Sequence, residues 1–121
     1  MRKVLLSIVL LMLLCSVPVY ADEWTQEDTA WQATTLLIMG ADWLQTKEIA
    51  RTSGYYETNL LLGKYPSQNE VDAYFLGCAL VHSTIAYYLP KKYRRYWQYI
   101  FIVVEAGYVG HNVNAGIQLK F

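Results

Sequence analysis

The sequence predicts an all-α protein, a small membrane-associated bundle of three helices behind a cleaved leader. Three observations predict it. Long stretches without breakers alternate with short runs that contain glycine or proline. The hydrophobic fraction is 55%, with eleven tyrosines among 121 residues, above the roughly 45–50% of ordinary soluble domains. A dense basic cluster, ringed by aromatic side chains, lies between two apolar segments.

The first element is the leader, residues 1–21. Arg2 and Lys3 form its charged start, Val4 to Leu14 its apolar run, and Val19-Tyr20-Ala21 a cleavage site. The run is too short to span a bilayer, which takes about 20 residues. Cys15 invites comparison with lipoproteins, but Met12-Leu13-Leu14 places a leucine where such signals want a small residue. Cleavage after Ala21 would leave Cys78 as the single cysteine and exclude an internal disulfide.

An acidic stretch from Asp22 to Asp28 follows, in which Thr25 or Asp28 can cap a helix. The first helix is expected at about residues 30–50, with Asp42, Gln45 and Thr46 on one face. Residues 51–69 are irregular, broken by Gly54, Gly63 and Pro66. A connection of this length is either functional or ordered against the helices. Ser67, three residues before Glu70, forms a capping box for a second helix at 71–89, stopped by Pro90. That helix would be roughly 28 Å long, nearly the thickness of a bilayer core. The third is expected at 96–117.

Between the last two lies Lys91-Lys92-Tyr93-Arg94-Arg95, surrounded by Tyr87, Tyr88, Tyr96, Trp97 and Tyr99. Rings with one apolar and one wet end collect at the lipid headgroups, and basic loops stay cytoplasmic. These rules predict two spans, with residues 91–95 inside and the first helix on the outer side. Asp42 in mid-helix opposes a third span, at about 2.5–3.5 kcal/mol on insertion scales. Residues 113–121 alternate apolar and polar and end in Phe121, like a barrel strand. A complete barrel would consume nearly the whole mature chain, so a frayed helix end or a single strand-like tail is the expectation.

The length allows one domain. Removing Arg2 and Lys3 leaves eight basic and ten acidic residues, a net charge of −2, which excludes a general nucleic-acid partner. No HExxH, P-loop, GxSxG or Rossmann glycine pattern is present, and no cofactor or metal is expected.

Any function should reside in the polar residues of the apolar helices. His82 and Glu105 are the candidates for acid–base chemistry, and Asp42, Gln45, Glu57, Asn59, His111 and Asn112 complete the polar set. Counted from Tyr93, His82 and Glu105 lie at one depth of the hairpin, so a contact between them is expected. That pair would either fix helix register or act as a general acid–base pair on a lipid or envelope substrate. A metal site built from Asp42, Glu57, His82, Glu105 and His111 is a further alternative with no ligand spacing behind it.

The strings Asp42-Trp43-Leu44-Gln45-Thr46, Tyr55 to Gly63, Pro66-Ser67, Val71 to Phe75, Trp97-Gln98-Tyr99 and Glu105 to Asn112 form an ordered set over most of the mature chain. In these strings the chain resembles a group of small bacterial and phage-encoded envelope proteins, some lipoprotein-like. The resemblance implies membrane association and no particular activity. The expectation is therefore a protein of the bacterial cell envelope, in the inner membrane with a periplasmic N-terminal part, with the outer membrane or periplasm as alternatives. Its expected partners are the lipid bilayer and another envelope protein or a second copy.

Overall fold

A computed structural model describes residues 22–117 and 119. Among the described residues there are three helices: α1, Gln26–Arg51; α2, Gln68–Tyr88; and α3, Lys91–Asn114. The all-α, three-helix architecture expected from the sequence is present, and no strand occurs among the described residues. The leader and Cys15 lie outside them.

Each helix begins earlier than expected, for a reason visible at its cap. The Thr25 hydroxyl accepts from the Asp28 N–H, while the Asp28 carboxylate accepts from the Thr25 N–H, a closed capping box four residues ahead of the expected start. Ser67 and Glu70 form the predicted box at the start of α2. The largest correction concerns the basic cluster. Pro90 has φ −53° and serves as the N-cap of α3, so Lys91 to Arg95 form the first turn of that helix and not a loop. Lysine and arginine are good helix formers, and a proline just outside the start is preorganised for it.

The far end of α3 closes with a Schellman motif. Gly116 has φ +86°, its N–H donates to the Val113 carbonyl, and the Ile117 N–H donates to the Asn112 carbonyl. The helix expected to run to residue 117 therefore stops at Asn114, three residues short.

Helix α1 packs on both partners, most extensively on α3, while α2 and α3 meet least. The apolar core is small: Met39, Val71 and Phe75, with Trp43, Leu62, Tyr74, Cys78 and Phe101 packed around them. Trp43 stacks on Phe75 with centroids 6.0 Å apart, and its indole N–H donates to Asp72. The rest of the interior is polar. Among the described residues eleven buried side chains are polar or charged and only seven, Pro66 included, are apolar, whereas leucine, valine and tyrosine side chains crowd the outside. The molecule inverts the usual arrangement.

Among the described residues no helix is long and apolar enough to cross a membrane, so the spans expected at 71–89 and 96–117 are not found. The inversion supplies the reason. Each helix gives its inward face to polar groups, such as His82 on α2 or Arg94, Gln98 and Asn112 on α3, and these lower its mean hydropathy.

Candidate functional site

The buried polar side chains form three tiers along the bundle. The first lies at the α2–α3 turn. Arg94 Nη1 is 2.7 Å from Asp28 Oδ2, and both side chains are completely buried. The Arg94 guanidinium also donates to the carbonyls of Ala86 (2.8 Å) and Leu89 (3.1 Å) at the end of α2, and to that of Asp22 (3.0 Å). One side chain thereby satisfies the open carbonyls at the end of one helix and ties it to another. Burial alone would raise the Asp28 carboxyl. The bonds from Thr25 and the Arg94 charge outweigh that and hold it below the usual carboxylate range.

The second tier joins all three helices through amides. Gln98 Nε2 donates to Gln32 Oε1 (3.2 Å), and Gln32 Nε2 donates to Ser83 Oγ (3.0 Å) and lies 3.1 Å from His82 Nδ1. With an amide N–H facing it, Nδ1 is the acceptor and the ring proton sits on Nε2. The imidazole stacks on Trp97 at 5.2 Å and meets Phe101 edge-on at 4.5 Å. Burial pushes His82 down to about 4, a fall that the polar backbone of Trp97 nearby offsets only in part. The ring is therefore neutral at pH 7.

The third tier lies nearer the far ends of α1 and α3. Asp42 and Glu105 share a hydrogen bond, with Glu57 close enough to add repulsion. Asn112 Nδ2 donates to Asp42 Oδ1 (3.2 Å) and to Gln45 Oε1 (3.1 Å), and Gln45 Nε2 donates to the Val109 carbonyl (3.4 Å). Burial, followed by the Glu105 and Glu57 charges, pushes Asp42 up to about 8. Burial also raises Glu105. Two buried carboxylates in contact cannot both ionise cheaply, so a shared proton is the physical solution. Glu57 Oε1 accepts from the Thr58 and Asn59 N–H groups, both at 2.8 Å. Glu57 Oε2 and Glu105 Oε2 are buried without a hydrogen-bond partner. Asn59 Nδ2 donates to the Tyr74 hydroxyl at 2.8 Å.

The structure thus gathers Asp42, Gln45, Glu57, Glu105 and Asn112 at one end, with Asn59 reaching Tyr74 beside them. It leaves His111 exposed on the surface. It also separates His82 from Glu105. The hairpin pivots at Leu89–Pro90 and not at Tyr93, so His82, seven residues before Leu89, lies level with Trp97, seven after Pro90. Glu105 falls two turns further on, level with Tyr74. His82 Nε2 and Glu105 Oε2 both lack a partner, and each residue's hydrogen bond goes elsewhere, His82 to Gln32 and Glu105 to Asp42. The expected contact is replaced by these two.

Sequence reasoning missed Asp28, Gln32, Arg94 and Gln98. A signal for them exists: Asp28, Gln32, Thr35, Met39, Asp42, Thr46 and Ile49 follow an alternating spacing of four and three, the seam of a packed helix. The residues on that seam are mostly polar, so a search for apolar periodicity passes over it.

Two surface clefts are formed. One of about 350 Å³ is lined by residues 49–55, Lys64 and Tyr65, and another of about 320 Å³ by Thr58, Val104, Gly107, Tyr108 and His111. Neither is lined by His82, Asp42 or Glu105. Among the described residues no three His, Cys, Asp or Glu side chains are arranged to hold a metal ion, and His82 and His111 stand apart from the carboxyl cluster. Compared with known protein families, with curated proteins and with solved structures, the chain matches none.

Proposed function

We propose that this is a non-enzymatic, membrane-associated protein of the bacterial cell envelope, held against the bilayer by the outer surface of its bundle. The observation that carries the reading is the inversion of polar and apolar side chains. Leu36, Leu37, Leu76, Leu80, Val81, Ile100, Val103 and Val104 are exposed along the middle of the three helices. Tyr87, Tyr88, Tyr93 and Tyr96 are exposed at one end, and Tyr55, Tyr56 and Tyr65 at the other. An aliphatic belt between tyrosine-rich ends fits a lipid environment. The buried polar groups are largely paired with one another, which suits helix packing in such a setting better than turnover of a substrate. The leader-like composition of residues 1–21 supports export to the envelope.

Fractionation tests the proposal. Expressed with its full N-terminal sequence, the protein should sediment with membranes, remain there through high salt and alkaline carbonate, and leave only with detergent. Recovery in the soluble fraction without detergent would overturn it. A mature protein beginning at Asp22, read by mass spectrometry, is the expected result for export.

A further inference from the structure

We propose that the segment between α1 and α2 is a membrane wedge, with Leu60 and Leu61 entering among lipid acyl chains while Tyr56, Lys64 and Tyr65 rest at the phosphate level. The inference builds on the membrane reading above and names the surface that makes first contact. Leu60 is 96% exposed and Leu61 82%, the highest values of any large apolar side chains among the described residues.

Their exposure is built in by the backbone. The Leu62 and Gly63 N–H groups both donate to the Asn59 carbonyl, at 3.2 and 3.1 Å, and the Leu61 N–H donates to Asn59 Oδ1 at 3.0 Å. Gly63 takes φ +78°, a left-handed conformation that side chains disfavour. Below the turn, the Glu57 N–H donates to the Lys64 carbonyl at 2.9 Å, which closes the neck of the loop. Asn59 is tied to Tyr74 on α2, and Leu62 packs on the Met39–Val71–Phe75 core. Anchored on both sides, the turn holds its two leucines away from the protein.

The collar around this tip identifies the partner. Lys64 Nζ lies over the rings of Tyr56 (5.0 Å) and Tyr65 (5.6 Å) and has no ion pair among the described residues. Glu57, the one acid of the loop, is turned inward and engaged by backbone N–H groups. An apolar tip, then amphipathic rings, then a free cation reproduces the layering of a phospholipid leaflet from acyl chain to phosphate. Withdrawing a leucine side chain from water strengthens partitioning about tenfold or more per residue.

The test uses the full chain with Cys15 and Cys78 replaced by serine, diluted from detergent onto phosphatidylcholine vesicles containing phosphatidylglycerol. An environment-sensitive fluorophore is attached through Leu61→Cys or, at the opposite end, Lys92→Cys. The expected result is a blue shift on vesicle addition at position 61 and not at 92. The Leu60→Ser/Leu61→Ser pair should weaken vesicle partitioning about a hundredfold with helix content unchanged, because neither side chain packs on the protein. If the serine pair partitions like the parent while the parent still binds, the wedge is wrong and membrane association through another surface stands. If the parent does not bind vesicles, both readings fail.

Discussion

Arg94 completes α2 from within α3: its guanidinium covers the carbonyls at the end of α2 and lies 2.7 Å from the buried carboxylate of Asp28 on α1. Three helices therefore depend on one side chain. Arg94→Leu leaves the buried Asp28 carboxylate with only the longer Arg95 contact (3.4 Å) and its Thr25 bonds, and stability should fall by at most about 3–5 kcal/mol. Arg94→Leu combined with Asp28→Leu should recover part of that loss, since no charge is then stranded. Thermal unfolding in detergent of the two single variants and the double variant measures the coupling, and additive losses would mean that the pair does not hold the helices.

The Asp42–Glu105 bond predicts where coupling lies in the far tier. A double-mutant cycle between Asp42→Asn and Glu105→Gln should give an interaction energy above about 0.5 kcal/mol, the scatter expected of independent sites. The same cycle between His82→Leu and Glu105→Leu should give a smaller value. A larger coupling for His82 with Glu105 would restore the register that a pivot at Tyr93 requires.

Stability should fall as pH rises from about 6.5 to about 8. Asp42 holds its proton to about 8 when folded against 3.8 when unfolded, so its contribution is full below 3.8 and is lost as pH climbs towards 8. His82 acts in the opposite sense, with 6.5 unfolded and about 4 folded, so its contribution grows between those values and partly cancels the carboxyl effect there. Above 6.5 the histidine is neutral in both states and the carboxyl pair dominates. The expected loss is about 1–2 kcal/mol over this range, and Asp42→Asn should flatten it. Denaturant titrations at pH 6.5, 7.25 and 8 would read the slope, and an unchanged slope in the variant would remove Asp42 as its source.

A glycine within α3 and one just past its end should respond with opposite signs to alanine. Gly116 has φ +86° in the Schellman turn, so Gly116→Ala should destabilise by about 1 kcal/mol. Gly107 is helical with open space where a Cβ would sit, so Gly107→Ala should stabilise by a similar amount. Melting temperatures of the two variants check both, and a shared sign would mean that the end of α3 is misplaced.

The helix count, the Ser67–Glu70 capping box and the stop at Pro90 were legible in the sequence because each depends on local chemistry. The start of α3 was not, because charge density in Lys91 to Arg95 looked like a loop at a membrane face. It is the first turn of a helix, and Arg94 is turned inward. That displacement moved the hairpin pivot to Leu89–Pro90 and undid the depth argument for His82 and Glu105. Of the candidate site, Asp42, Gln45, Glu105 and Asn112 lie on helix faces that meet at one end of the bundle. Their pairing depends on the rotation of α1 against α3, which no single helix encodes. The burial of Asp28, Gln32 and Gln98 was not legible because polar residues near helix starts ordinarily face water, and here they turn inward.

If the aliphatic outer belt faces lipid, labels placed on it will sense acyl chains and not water. Nitroxide labels at Leu80, Val103 and Ser53, one per variant with both cysteines replaced by serine, can be compared in vesicles by collision with oxygen and with a water-soluble nickel chelate. Labels at Leu80 and Val103 should collide more with oxygen than with nickel, because oxygen concentrates in acyl chains. Preferential nickel collision at Leu80 and Val103, equal to that at an unstructured reference peptide in buffer, would contradict it and place the belt in water.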